Sequence, residues 1–438
     1  MTLVGRPLAL VPIVVHELLG ISAVGAADRA VSPLDGRVAD IRALFSANSG
    51  GYEKLFTQSF LDQVPGVQLT GVFVKYHADL GRCTEAVETE RKDLEGKWSL
   101  LFERGYSVPV SVSVEAAAPH LIKGLWIGGP VRLAASLEVV AAEIKALPGE
   151  VSFLVAELAN GAPKSIAEVN PDRALAIGSA FKLYILAELV RAIGAGTRRW
   201  TDVVDLEAGA VSLPSGILQE WPVGSSLTLH SLATLMISRS DNTATDQLLR
   251  ALGRQKVEEI QAATGHASAA RNVPFLSTLE LFKLKGDRQG KAAAAYLAKP
   301  AAARRAYLES EVARMSREDL VFPDKPAHVE TLEWFASAAD LCRVMDWIRK
   351  QTDKSPAVPA RALLGVNPGV SSARGKWRTI GYKGGSEPGV LNLTFLVESA
   401  RGRWYALAAT WNDRTKPVDE GKLIALVERA LQLLAERS

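Results

Sequence analysis

The apolar positions of this chain change period several times, and each change marks an element. Ile41, Leu44 and Phe45 have the spacing of a helical stripe. Tyr52 to Leu61 continues it, and a second helical run covers Val67 to Asp79. The period then falls to two. Trp98-Ser-Leu-Leu-Phe and Val108-Pro-Val-Ser-Val-Ser-Val alternate as half-buried strands do, and Leu121 to Ile127 predicts one more. Helical spacing returns over residues 131–147, through Leu133, Leu137, Val140 and Ile144, and Pro148-Gly149 ends it. Val151 to Leu158 and Lys164 to Val169 read as two strands joined at Asn160-Gly161, a hairpin signal. From there to about residue 350 the pattern is mostly helical, including the Ala-rich patch Ala292–Ala303. Residues 378–384, 390–398 and 403–411 are strand-like, and Asp419 to Arg437 is an amphipathic helix.

This order predicts two layers. Residues 33–130 form a small α+β unit, helices on an antiparallel sheet. Residues 131–438 form a larger unit in which two early strands and three late ones make one sheet covered by helices. The fold class is thus α/β with α+β elements.

Composition narrows the function. The chain has 438 residues, 48% hydrophobic and 23% charged, a globular mix that excludes wholesale disorder and a disulfide scaffold. The formal net charge of +3 is too small for a protein devoted to nucleic acid. Two cysteines, Cys83 and Cys342, and six scattered histidines offer no metal-ligand spacing, so no metal or other cofactor is expected.

Residues 1–27 carry Arg6, an apolar run from Pro7 interrupted by His16-Glu17, and small residues Val24-Gly25-Ala26-Ala27 before Asp28. This resembles a secretory signal peptide, which places the protein in the periplasm or outside the cell; the alternatives are a peripheral helix or a start codon placed too early. No run of 18 residues there is free of charge, which argues against a stable membrane span.

Three short motifs carry the candidate chemistry. Ser179-Ala-Phe-Lys182 opens an apolar helix, so the lysine at i+3 shares a face with the serine. A serine needs a base within hydrogen-bond reach, and a desolvated lysine that sheds its proton can be that base. Ser240-Asp241-Asn242 falls between two helical runs, where a hydroxyl can relay a proton and an amide can orient a lysine or a substrate amide. Helix capping is the plainer use of these residue types. Lys383-Gly384-Gly385-Ser386 ends a strand; the glycines admit a substrate against the backbone and the lysine supplies positive charge for a substrate carboxylate.

The order and placement of these motifs resemble the penicillin-recognising serine enzymes, and most closely class A β-lactamases, over about residues 131–438. The 61-residue step from Ser179 to Ser240 is close to the family's. The resemblance implies a β-lactamase-like antiparallel sheet covered by helices and a serine acyl-hydrolase acting on a β-lactam or related ester or amide. Ser179 would be the nucleophile, Lys182 its base, Ser240 a proton shuttle and Asn242 an orienting amide. Lys383 and Gly385 would bind substrate, and the backbone N–H groups of Ser179 and Ser386 would form an oxyanion hole. An esterase or D,D-peptidase-like penicillin-binding protein is a second reading, and a non-catalytic binder that keeps the fold is a third.

Two departures stand out. Gly384 replaces the threonine of the family's K-T-G, removing a hydroxyl from the substrate-carboxylate site. The E-x-E-L-N segment whose glutamate activates the deacylating water is missing. Glu280 is the best substitute, ahead of Asp324, Glu330 and Glu333. Residues 281–320 replace that loop and hold nine Lys or Arg against five Asp or Glu. They are either a pair of solvated helices or a basic lid that steers an anionic small-molecule substrate. The leader-plus-hydrolase layout also resembles two-domain proteins associated with clavulanic-acid biosynthesis, whose first domain is similar to the cystatin or steroid-isomerase fold. His77, Asp79, His120 and the Glu85/Glu88/Glu90 run read there as surface groups.

Overall fold

The structure is a computed structural model. It describes residues 33–45, 51, 54–213, 215–317, 319–321, 324–353, 356–370 and 375–437. The export signal expected over residues 1–27 lies outside them.

Three helices come first: α1 (Pro33–Leu44), α2 (Gln58–Gln63) and α3 (Gly66–Leu80). They are followed by β1 (Cys83–Lys92), β2 (Glu95–Phe102), β3 (Tyr106–Val114), β4 (Ile122–Ile127) and β5 (Val131–Arg132). The strands form an antiparallel sheet in the order β1-β2-β3-β4, with β5 also on β3. The period-2 positions Leu100, Phe102, Val108, Val110, Val112 and Val114 point to one face. There they meet Leu34, Ile41, Phe45 and Phe73 of the helical side in a core of their own.

Two local expectations change. Strand β1 was not read from the sequence, because its charged residues leave it half-exposed and two register shifts break its alternation. The helix expected over 131–147 is shorter: α4 runs Leu137–Lys145 and starts where the Ser136 hydroxyl accepts the Val139 N–H, while residues 131–132 belong to the first sheet.

The second sheet is built from both ends of the remaining chain. Early strands β6 (Glu150–Leu158) and β7 (Lys164–Val169) join three late ones, β12 (Thr379–Glu387), β13 (Val390–Glu398) and β14 (Trp404–Asn412), in the antiparallel order β12-β13-β14-β6-β7. Alternate residues face two cores. One face, with Phe153, Val155, Phe395 and Leu407, packs on α4 and the C-terminal helix α14 (Glu420–Arg437). The other, with Leu154, Ala156, Ala406 and Ala408, packs on the helical body between the strands.

That body holds β8 (Leu175–Ala176), α5 (Lys182–Gly194), β9 (Val203–Asp205), β10 (Ser226–Thr228), α6 (Leu229–Ser238), α7 (Asn242–Leu252) and α8 (Arg254–Ala263). It continues with α9 (Thr278–Lys285), α10 (Lys291–Leu297), α11 (Ala301–Ser310), β11 (Phe335–Ala336), α12 (Ala338–Thr352) and α13 (Pro359–Val366). The Ala-rich patch is two helices, α10 and α11, with Pro300 as the N-cap of the second. The strand β12 is an edge of its sheet, and its outer backbone faces the turn that carries Ser179.

Candidate active site

Ser179 sits in a single 3-10 turn, Gly178–Phe181, that runs directly into α5. The turn is pinned on three sides. Ile177 donates its N–H to the Trp334 carbonyl at 3.0 Å, and Phe181 stacks on the Trp334 ring at 3.7 Å. Just upstream, the Asn412 amide clamps Ala176, accepting its N–H and donating to its carbonyl at 2.9 Å each. The turn also lies against β12. A Cβ on Gly385 would stand 2.3 Å from the Ser179 nitrogen, and one on Gly178, which has φ +47°, would stand 3.1 Å from the Ser386 nitrogen. Glycine at both positions allows this close approach of the Ser179 turn to residues 385 and 386 of β12.

Lys182 is fully buried, and its Nζ has four oxygens in reach. The two short contacts go to obligate acceptors, the Ser240 carbonyl at 2.5 Å and Asn242 Oδ1 at 2.7 Å. The two longer ones go to hydroxyls, Ser179 Oγ at 3.2 Å and Ser240 Oγ at 3.1 Å. Burial pulls the Lys182 pKa down to about 7, against the opposing pull of Asp241 and Asp246. A neutral amine has two N–H bonds for the two carbonyl oxygens and a lone pair left for a serine hydroxyl proton.

Lys383 is buried as well, donating to Ser240 Oγ at 3.1 Å and to the Gly384 carbonyl at 2.5 Å. Desolvation, then the nearby Lys182, hold its pKa well below the ordinary lysine value. Ser240 thus bridges two lysines, from a backbone in the left-handed region at φ +53°.

The loop that presents Ser240 is held by Asp241, which sequence reasoning treated only as part of a motif. Its Oδ1 accepts the Ala244 N–H, capping α7, and its Oδ2 accepts the N–H groups of Ile217 and Leu218. Gly216, at φ +100°, leaves room for that carboxylate: a Cβ there would lie 2.1 Å from Oδ2. Asn242 donates its amide to the Leu213 carbonyl at 3.2 Å, which fixes Oδ1 toward Lys182.

Asp246 was missed altogether. One turn along α7 from Asn242, it is 2% exposed and accepts the N–H groups of Thr278 and Leu279 at 2.8 and 2.9 Å. Burial raises its pKa to about 7. The available signal was a carboxylate at i+4 on the motif's own helix face.

Glu280 stands apart from this cluster. Its Oε2 accepts the Ser277 N–H in a capping box that starts α9, and both oxygens receive the Arg254 guanidinium at 2.6 and 2.8 Å. None of its hydrogen bonds runs to Ser179, Lys182, Ser240 or Asn242. Of the other carboxylates weighed, Glu333 is buried and pairs with Lys285, which also holds Glu387 at the end of β12. Glu330 is exposed beside Arg414. The basic segment is largely engaged. Arg305 pairs with Glu258 at 2.8 Å, Lys283 donates to the Ala313 carbonyl at 3.0 Å, and Arg304 donates to the carbonyls of Leu297 and Lys299.

Among the described residues, no cluster of three or more His, Cys, Asp or Glu side chains is arranged to hold a metal ion, and both cysteines are free thiols. No helix among them is long and apolar enough to cross a membrane.

Comparison with known proteins bears on the fold. Residues 133–309 match the model of the Beta-lactamase enzyme family. With the sheet order and helical cover described above, this makes the fold β-lactamase-like. Solved structures give similar alignments. A β-lactamase from Sphaerobacter thermophilus is 21% identical, with 69% of this chain and 98% of that one covered and a TM-score of 0.49. A β-lactamase from Francisella tularensis is 15% identical, with 69% and 98% covered and a TM-score of 0.48. A structure described as PBP-A is 16% identical, with 69% and 95% covered and a TM-score of 0.48. No curated protein matches the chain significantly.

Proposed function

We propose that this protein is a serine acyl-hydrolase acylated at Ser179 by a β-lactam or a related ester or amide. One observation carries the reading: a buried lysine, its pKa drawn down to about 7, lies 3.2 Å from the Ser179 hydroxyl. Neutral Lys182 takes the Ser179 proton as Oγ attacks the acyl carbon. The N–H groups of Ser179 and Ser386 receive the developing oxyanion. Ser240 passes a proton to the leaving group, with Lys383 on its far side keeping that hydroxyl oriented. Asn242, fixed by the Leu213 carbonyl, holds Lys182 and orients a substrate amide.

A second reading, a D,D-peptidase-like penicillin-binding protein or esterase, is favoured by the engagement of Glu280 with Arg254 and the α9 cap. The acyl-enzyme would then be long-lived. The substrate is a small molecule in either case. We place the site of action in the periplasm or outside the cell, on the reading of residues 1–27 as an export signal, and we treat residues 33–130 as a leader unit ahead of the hydrolase unit 131–438. Finding the mature N-terminus just after Ala27 would bear out the export step.

The test incubates the protein, and Ser179→Ala, with a fluorescent penicillin, nitrocefin and a p-nitrophenyl ester. Turnover of nitrocefin supports a β-lactamase. Stable labelling supports a penicillin-binding protein, and ester turnover alone an esterase. The absence of any Ser179-dependent signal would sink the enzymatic reading and leave a ligand-binding protein that retains the fold.

A further inference from the structure

The two N–H groups assigned to the oxyanion belong to separate elements, Ser179 to the nucleophile turn and Ser386 to β12. The seam between them is a backbone contact. A Cβ on Gly178 would stand 3.1 Å from the Ser386 nitrogen and 3.2 Å from the Gly385 carbonyl carbon. The spacing of the two donors therefore depends on what holds the turn against the strand. One buried ammonium group reaches both sides of that seam.

Lys285 is the last residue of α9, and its side chain is 5% exposed. On one side it pairs with Glu387 at 2.7 Å. Glu387 directly follows Ser386 and alternates with Lys383 and Gly385 along β12. Its side chain thus leaves the strand on the face where Gly385 meets the Ser179 nitrogen. On the other side Lys285 pairs with the fully buried side chain of Glu333. Phe335 of β11 lies opposite Ala176, and the Trp334 carbonyl accepts the Ile177 N–H. The same register brings Glu333 to the level of Gly178, the residue before Ser179. The neighbouring Trp334 ring stacks on Phe181, at the end of the same turn.

The cost of this arrangement is visible at Glu333. One of its oxygens is held by Lys285, and the other, Oε2, is buried with no hydrogen-bond partner. Apolar side chains of similar volume would serve stability as well or better. Lys285 also stands at the stem of the inserted segment. Val321 donates its N–H to the Gly286 carbonyl at 3.0 Å, so residues 287–320 leave and return beside it.

We propose that Lys285 is a positioning residue for acyl transfer: with Glu333 and Glu387 it clamps the nucleophile turn to β12 and so sets the spacing of the Ser179 and Ser386 N–H groups. The inference rests on the acyl-hydrolase reading of the site. It gives the stem of the inserted segment a use that requires no contact with substrate.

The experiment measures the oxyanion site directly. Phenylboronic acid adds to Ser179 Oγ, releasing the hydroxyl proton, and the tetrahedral anion that forms resembles the transition state. Glu387→Gln breaks one arm of the clamp at its more exposed end, and Lys285→Met breaks both. In each variant, folded by thermal unfolding, the affinity for phenylboronic acid should fall about tenfold. That is less than the hundredfold or more that outright loss of a donor costs, because the donors are displaced and not removed. The kcat for acylation should fall by a similar factor with KM unchanged. Equilibrium binding of benzylpenicillin in the Ser179→Ala background should be the same with and without Glu387→Gln, since no oxyanion forms there. Glu387→Gln keeps the test open if Lys285→Met, which leaves two buried carboxylates unpaired, fails to fold. Wild-type boronate affinity and acylation in folded Glu387→Gln overturn the proposal. So does an equal loss of benzylpenicillin binding in the Ser179→Ala background, which would make the clamp a general support of the site. A wild-type protein that forms neither a boronate adduct nor an acyl-enzyme at Ser179 removes the acyl-hydrolase reading itself, and the positioning role with it.

Discussion

The two five-stranded sheets of this protein treat polar groups in opposite ways. In residues 33–132 the core is apolar, and the single buried polar side chain among the described residues is Thr57, whose hydroxyl caps α2. Charged groups there pair on the outside, as Lys97 does with Glu90 and Arg82 with Glu103. Around the second sheet, by contrast, Lys182, Lys383, Asp241, Asp246 and Asp340 are all buried. An ion withdrawn from water costs several kcal/mol unless its surroundings satisfy it. Folding alone does not require that cost, as the first sheet demonstrates. The part of it gathered near Ser179, in Lys182, Lys383, Asp241 and Asp246, is what supports our reading of the second region as the chemical one.

The largest expected effect breaks the comparison at its centre. Lys182→Met should slow Ser179 acylation by about 10²- to 10⁴-fold, the range for loss of a positioned base. Stability should change little, because the cost of burying an amine goes as two carbonyl partners are lost. Stopped-flow acylation and thermal unfolding of the same sample check both halves. Wild type adds a pH test. The folded pKa is about 7, so the reactive neutral amine grows as pH rises through that value and the acylation rate should rise with it, then level off. Asp246 also titrates near 7, and its ionisation favours the protonated lysine, so the rise should be shallower than a single-group curve. A flat profile through this range removes Lys182 as the base.

The next effect belongs to the other region. Trp98 is 4% exposed in the first core, and Trp98→Ala should cost about 3–5 kcal/mol of stability there. Denaturant unfolding would show this loss, while acylation of Ser179 in the folded protein should keep its rate. A parallel fall in acylation under native conditions would mean the two regions are coupled and that the contrast drawn here is too sharp.

What the sequence made legible follows the same division. The strands β13 and β14 were plain because both faces of that sheet are covered, so each reads as a dense apolar run. The Ser179, Ser240 and Lys383 motifs were legible because each has a fixed local spacing, and the structure brings all three to one oxygen, Ser240 Oγ, or its neighbour. Strand β1 was hidden by charges on a half-exposed surface. Asp246 was hidden for another reason. Its meaning lies in what it meets across space, the N–H groups of residues 278 and 279, and that meeting leaves no periodic trace.

The smallest expected effect concerns Glu280, which the sequence offered as the residue that frees the acyl group. Its partners suggest a different use. The bidentate pair with Arg254 joins α8 to α9, and the capping box fixes the start of α9, beside the Thr278 and Leu279 N–H groups that Asp246 receives. Glu280→Gln keeps the side chain's shape and one acceptor but loses the charge that Arg254 needs, at a cost of about 1–2 kcal/mol. Arg254 is already four-fifths out of solvent, so little water is at hand to replace that partner. The variant should therefore unfold at a lower denaturant concentration, while the acyl-enzyme formed with a β-lactam decays at the wild-type rate when followed by intact mass. Accumulation of acylated protein in Glu280→Gln, with decay slowed by a hundredfold or so as loss of a general base would give, would reverse the assignment. It would also put a water-activating carboxylate in a segment whose hydrogen bonds all serve the joining of two helices.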